Sequence, residues 1–164
     1  MFVRPKLTIY LNKIIENYRA FSNARKNPNT IMGAVVKDNA YGLGAEQITD
    51  ALYRLGECHT FFVAYAREGH LIRSYASDAD IYVLQGPGED ELDYYRLDNL
   101  IPVINSPKQW TLWKKDRPNE NRPAIQIETG LNRLGFSEEE IKNINKFIKR
   151  IMDFHYKQIF YYNN

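Results

Sequence analysis

The chain is short of cysteine, of net charge and of long apolar runs, and each shortage removes a class of protein. A single cysteine, Cys58, in 164 residues excludes an internal disulfide and suits a reducing compartment. The three histidines, His59, His70 and His155, show no metal-ligand spacing, so no metal site is expected. A net charge of +2, with basic residues spread along the chain, offers no field aimed at nucleic acid or an anionic membrane. No apolar run is long enough to span a bilayer, and the start, MFVRPKLTIYL, lacks the apolar core and cleavage site of a signal peptide. The expected location is the cytoplasm. No linker divides the chain.

What is present is a globular composition, 44% hydrophobic and 26% charged, at a length that normally makes one domain with a real core. A β-like stretch, Leu7 to Leu11, leads into a helix with Asn12 as N-cap and Ile14, Tyr18 and Phe21 on one face; Asn27-Pro28-Asn29 ends it. Ile31 to Val36 has the β-branched, apolar character of a buried strand. A glycine-containing turn follows, then a helix from about Ala45, with Ile48, Ala51, Leu52 and Leu55 as its apolar stripe and Gly56 at C′.

Phe61 to Tyr65 reads as the next strand and Arg67 to Ser74 as a helix. Ile81 to Gln85 reads as a strand closed by Gly86-Pro87-Gly88, and Leu100 to Ile104 as another, before a helix around Pro107 to Trp113. Ala124 to Glu128 makes a fifth strand. A helix then begins at Ser137, with Glu140 completing a capping box and Ile141, Ile144, Ile148 and Ile151 on its buried face. Lys146, Lys149, Arg150 and Lys157, mixed with Phe147, Phe154 and Tyr156, read as a solvated helix face and a tail rather than a nucleic-acid surface.

About five strand–helix units in succession imply a parallel sheet with helices outside. An open doubly wound sheet and a closed (β/α)₈ barrel both fit, and five units complete only the former. The rhythm alone favours the open sheet.

The segment VVKDNAYGLG, Val35 to Gly44, carries the most chemistry. It places Lys37 at the C-terminal end of a buried strand, where both architectures keep their active sites. Apolar surroundings disfavour an ammonium ion, and a neutral amine attacks an aldehyde to form a Schiff base. Tyr41 adds a hydroxyl, and Gly42 and Gly44 allow close backbone approach to a ligand. The plainer alternative is a lysine that snorkels to solvent, with glycines serving only the turn.

VVKDNAYGLG closely resembles the cofactor-lysine motif of the alanine racemase family, V-K-A-N-A-Y-G-H-G. IETGLNRLGFS, Ile127 to Ser137, resembles that family's D-T-G-M-N-R-L-G stretch, about a hundred residues later in both. Between them ALYRLGECHTFFVAYAREGHLIR and DADIYVLQG are similar to the family's second strand–helix unit and third strand. The resemblance runs to about Arg150. It implies a partial (β/α)₈ barrel over 1–150 with a divergent tail at 151–164, and pyridoxal 5′-phosphate as cofactor.

It further implies Lys37 as cofactor lysine and one of two racemising bases, Tyr41 as a contact of the cofactor phosphate, and Arg133 near the phenolic oxygen and the substrate carboxylate. A guanidinium suits the last role through its fixed charge and rigid donor fork. The implied substrate is alanine, serving D-alanine supply for peptidoglycan, and the implied assembly is a homodimer whose second base, a tyrosine, comes from the C-terminal half of the partner.

Leu43, Glu128 and Gln126 depart from the family pattern, where histidine, aspartate and often a carbamylated lysine stand. Gln126 is expected to accept from the Arg133 guanidinium through its amide oxygen. The match fades after Arg150, so the resemblance implies a truncated chain with little activity of its own. The alternative is a non-catalytic remnant or subunit that binds the cofactor or a separate chain. The pyridoxal phosphate homeostasis proteins share the barrel, but N-A-Y-G followed by T-G-L-N-R-L-G favours the racemases.

Overall fold

A computed structural model describes residues 5–116, 123–142 and 159–161. The strands are β1 (Ala34–Val35), β2 (Thr60–Val63), β3 (Asp80–Val83), β4 (Ile101–Ile104), β5 (Ala124–Ile127) and β6 (Ile159–Tyr161). They alternate with α1 (Leu11–Ala24), α2 (Lys37–Tyr41), α3 (Ala45–Arg54), α4 (Ala66–Arg73), α5 (Leu92–Asp98) and α6 (Pro107–Asp116), and a helical turn occupies 138–142.

Every strand after the first pairs in parallel with its predecessor, in the order β1-β2-β3-β4-β5-β6. A doubly wound sheet reverses its winding at a switch point, so its strand order departs from chain order. The unbroken order found here is that of a barrel wall. The fold is therefore an α/β partial barrel, and the open sheet favoured by rhythm alone is not formed. Beyond the five expected strands, β6 lies in the stretch 151–164 and pairs with β5 through Ile125↔Ile159 and Ile127↔Tyr161.

Side-chain alternation along the strands separates two cores. Phe61, Val63, Ile81, Val83, Ile104 and Ile125 point outward and pack with Ile48, Leu52, Ile72, Tyr95 and Trp113 of the helices. The intervening positions, Tyr82, Ile101, Val103 and Ala124 with Phe62 and Leu84, form a second cluster made only of strand residues and their ends. Phe62 and Tyr82 stack there with centroids 5.2 Å apart. Helices thus cover one face of the curved sheet, and the other is the barrel interior. Burying the Ile48 and Leu52 side chains contributes roughly 1.5–3 kcal/mol each, which explains why the expected stripe of α3 forms against this wall.

Several expectations fail locally. Leu7 to Tyr10 form no strand, because no described strand pairs with them and Leu7 stays 71% exposed. Leu11 opens α1, whose N-cap is Tyr10 without a side-chain hydrogen bond, so Asn12 does not cap it. The buried face of α1 carries Leu11, Ile14, Ile15 and Tyr18, while Phe21 points to solvent. Leu55 is likewise exposed. Helix α5, only seven residues long and missed in the sequence, anchors itself through the fully buried Tyr95. The capping box at Ser137 forms, with Ser137 N–H donating to Glu140 Oε2 at 2.9 Å. Ile144, Ile148 and Ile151, His155 and the basic residues from Lys146 to Lys157 lie outside the described residues.

Candidate active site at the carboxyl ends of the strands

The β1–β2 ladder ends where Val36 N–H donates to Phe62 O at 2.9 Å, and Lys37 follows at once. The chain then makes one turn in left-handed geometry: Asp38, Asn39, Ala40 and Tyr41 all have φ between 52° and 55°. Each such residue with a Cβ costs roughly 1–2 kcal/mol relative to right-handed backbone, so other contacts must hold the turn. Ala40 N–H donates to Val36 O and Gly42 N–H to Asp38 O, both at 2.9 Å. Asn39 Oδ1 accepts from Ala45 N–H at 2.9 Å and so fastens the turn to the start of α3. Ala40 is buried beneath it.

The outer restraint comes from α4. Glu68 Oε1 accepts the Asp38 N–H at 2.8 Å, while Glu68 Oε2 accepts the Ala64 N–H at 2.6 Å and the Tyr65 N–H at 3.3 Å. Sequence reasoning missed Glu68, since its contact with Asp38 spans thirty residues. Its only local signal is a glutamate at the third position of a helix that begins without a Ser, Thr, Asp or Asn cap.

The second functional loop follows β5. The Glu128 carboxylate accepts backbone N–H groups of its own loop, Gly130 at Oε1 and Arg133 at Oε2, the latter at 3.0 Å. The backbone amides of this loop, Asn132 first and then Gly130, hold its pKa below the ordinary carboxylate value. The chain returns to the sheet as Glu128 N–H donates to Phe136 O and Phe136 N–H to Gln126 O, each at 2.9 Å. Gly130, Asn132 and Gly135 supply the positive φ angles this tight return requires, 127°, 54° and 118°.

Lys37, Tyr41, Gln126 and Arg133 line one cavity of about 210 Å³, walled by aliphatic side chains including Val35, Leu84 and Leu134. The three expected site residues therefore converge, although Lys37 and Arg133 are 96 positions apart in the chain. Lys37 Nζ lies 5.8 Å from the Tyr41 ring centroid, and Tyr41 is open to solvent. The expected hydrogen bond from Arg133 to Gln126 is not formed among the described residues; instead Gln126 Nε2 donates to Leu134 O at 3.0 Å.

A larger cavity of about 430 Å³ sits at the opposite, amino ends of β2 and β3, beside Thr60 and Asp80, and lacks the amine–phenol–guanidinium set. Among the described residues no group of three or more His, Cys, Asp or Glu side chains is placed to hold a metal, and no helix is long and apolar enough to cross a membrane.

Residues 9–163 match the family described as "Alanine racemase, N-terminal domain". The alanine racemase of Rhodospirillum rubrum is 39% identical over 139 residues, covering 82% of this chain and 37% of that protein. That of Rickettsia akari is 40% identical over 143 residues, covering 84% of this chain and 39% of the relative. Among solved structures, the alanine racemase of Bartonella henselae, with covalently bound pyridoxal phosphate, superposes with a TM-score of 0.73 at 30% identity over 87% of this chain and 40% of its own. The E. faecalis alanine racemase gives a TM-score of 0.76 at 25% identity over 91% and 41%. The chain spans well under half the length of these relatives.

Proposed function

Since this chain belongs to the alanine racemase family, by a match over residues 9–163, we propose that it forms the pyridoxal-phosphate-binding part of an amino-acid racemase acting on alanine. The single observation that carries this reading is the convergence of Lys37, Tyr41 and Arg133 on one cavity at the carboxyl ends of the strands. The donor set fits the group: an amine for an aldehyde, a phenol for a phosphate oxygen, a guanidinium for anionic oxygens, and aliphatic walls for a ring. The cofactor, when bound, supplies an aldehyde that an amine can capture and a conjugated ring that acidifies the substrate α-carbon.

This chain's residues perform the rest. Lys37 holds the cofactor through Nζ and, once freed, moves the α-proton on one face of the substrate. Tyr41 donates its hydroxyl to the phosphate from a turn whose backbone is held on both sides. Arg133 presents a rigid donor fork that orients the phenolic oxygen and the substrate carboxylate. Leu84 and Leu134 offer the ring of the cofactor an apolar wall.

Racemisation requires a second base on the opposite face. The reading assigns it to a tyrosine of a partner copy in a homodimer, outside the stretch matched here. A polypeptide of these 164 residues alone is therefore proposed to bind the cofactor but to racemise alanine poorly or not at all. The product, D-alanine, would serve peptidoglycan synthesis in the cytoplasm.

The test is to incubate the protein with pyridoxal phosphate and record the visible absorbance of lysine-linked cofactor, with Lys37→Ala beside it. Absorbance present in the natural chain and lost in the variant supports the reading; equal absorbance in both rejects it.

A further inference from the structure

We propose that Glu68 is the positioning residue for Lys37: its carboxylate sets the angle at which the lysine leaves the barrel wall. The proposal rests on the reading of Lys37 as the cofactor lysine, but the clamp itself is a feature of this chain's backbone.

The regular β1–β2 ladder is only two residue pairs long, Ala34↔Phe61 and Val35↔Phe62. Its last hydrogen bond, from Val36 N–H to Phe62 O, stops one residue short of Lys37. Beyond it the chain enters four consecutive non-glycine residues at positive φ, a conformation that persists only when its surroundings over-determine it. On the α3 side that constraint is the bond from Ala45 N–H to Asn39 Oδ1. On the β2 side it is Glu68. One carboxylate oxygen takes the N–H of Asp38, the residue next to Lys37. The other takes the N–H groups of Ala64 and Tyr65, where β2 passes into α4.

An ionised carboxylate suits this position because it accepts at both oxygens at once, and charge-assisted bonds are the stronger kind. Glu68 thus continues the β1–β2 pairing by one more link after the ladder ends, with a side chain in place of a neighbouring strand. It is anchored in turn by α4, whose Ala66, Gly69 and Ile72 are buried against the wall. Glu68 acts on Lys37 through the Asp38 peptide and is no catalytic residue.

The test uses the full chain and two readouts. Hydrogen–deuterium exchange is followed over residues 36–44, and capture of pyridoxal phosphate is followed by visible absorbance, in the natural protein, Glu68→Ala and Glu68→Gln, with Lys37→Ala as control. Expected are exchange over 36–44 faster by about tenfold in Glu68→Ala, with β3 and β4 exchanging as in the natural protein, and Lys37-dependent capture slowed by a similar factor. Glu68→Gln, which keeps the shape and one acceptor, should fall between.

A folded Glu68→Ala or Glu68→Gln protein with unchanged exchange over 36–44 and unchanged capture overturns the proposal. So does faster exchange confined to α4. If no protein captures cofactor, the assignment of Lys37 fails, while the exchange data still decide the clamp. If Glu68→Ala fails to fold, Glu68→Gln carries the same decision, since its side chain fills the same volume.

Discussion

Gly135 lies against the backbone of Glu128 so closely that a Cβ on it would stand 2.8 Å from the Glu128 nitrogen. Beyond that nitrogen it would meet Ile127 C at 2.9 Å and Gln126 O at 3.1 Å. The contact occurs where Glu128 N–H donates to Phe136 O, so it governs how the loop carrying Arg133 rejoins the sheet. A guanidinium at the cavity mouth is placed by the absence of a side chain two residues later.

Gly135→Ala should therefore destabilise the chain and release Arg133 together. The φ of 118° alone costs an alanine about 1–3 kcal/mol, and the overlap is with backbone, which yields little. A lowered urea midpoint, with faster amide exchange across 128–136, is the expected result. An unchanged midpoint would show that the return of the loop is looser than its geometry implies.

The parts legible in the sequence are those with local causes. The apolar stripe of α3, the capping box at Ser137–Glu140 and the glycines around Arg133 each have a signature within a few residues. Strand order was not legible in the strand–helix rhythm, which suits either winding; the barrel was legible only through the two motifs around Lys37 and Arg133, and the pairings agree with it. The left-handed turn at Asp38–Tyr41 has only a weak composition signal: none of its four residues is glycine, and Asp38 and Asn39 alone are of types that enter this region readily. Its causes are Glu68, thirty residues on, and the packing of Ala40. The partner of Gln126 was missed for a related reason: the same amide can donate or accept, and only the fold of the loop decides which.

The loop of Arg133 should loosen in acid. The Glu128 carboxylate accepts from amides of its own loop, and its pKa is lowered from 4.5. A carboxyl with a depressed folded pKa contributes stability that is fully present above 4.5 and is lost as the pH falls through the folded value. NMR titration should place the midpoint of the Gly130, Asn132 and Arg133 amide shifts below 4.5. Glu128→Gln should abolish that transition while leaving the loop weaker at neutral pH. A midpoint at or above 4.5 would contradict the amide contacts.

Tyr41→Phe separates the two parts of the Tyr41 side chain. The ring 5.8 Å from Lys37 Nζ stays, and the hydroxyl goes. If the hydroxyl donates to the cofactor phosphate, affinity for pyridoxal phosphate should fall by about tenfold, the scale of one hydrogen bond to a charged group, while Lys37-dependent absorbance at saturation is unchanged. Equal affinity in the two proteins would remove Tyr41 from the phosphate site.

Gln126→Glu distinguishes two accounts of the cavity floor that predict opposite signs. As the structure has it, Gln126 Nε2 donates to Leu134 O at 3.0 Å. A carboxylate has no hydrogen to give, so the substitution should leave Leu134 O facing a negative charge. It should then cost about 1–3 kcal/mol, seen as a lower urea midpoint and faster exchange over 128–136. Were Gln126 instead an acceptor for Arg133, a carboxylate would strengthen that contact by making it an ion pair, and the midpoint would hold or rise. Gln126→Leu serves as control: it removes donor and acceptor alike, so it should weaken the loop without the added repulsion. The order natural, then Gln126→Leu, then Gln126→Glu in falling midpoint is the signature of a donor at this position.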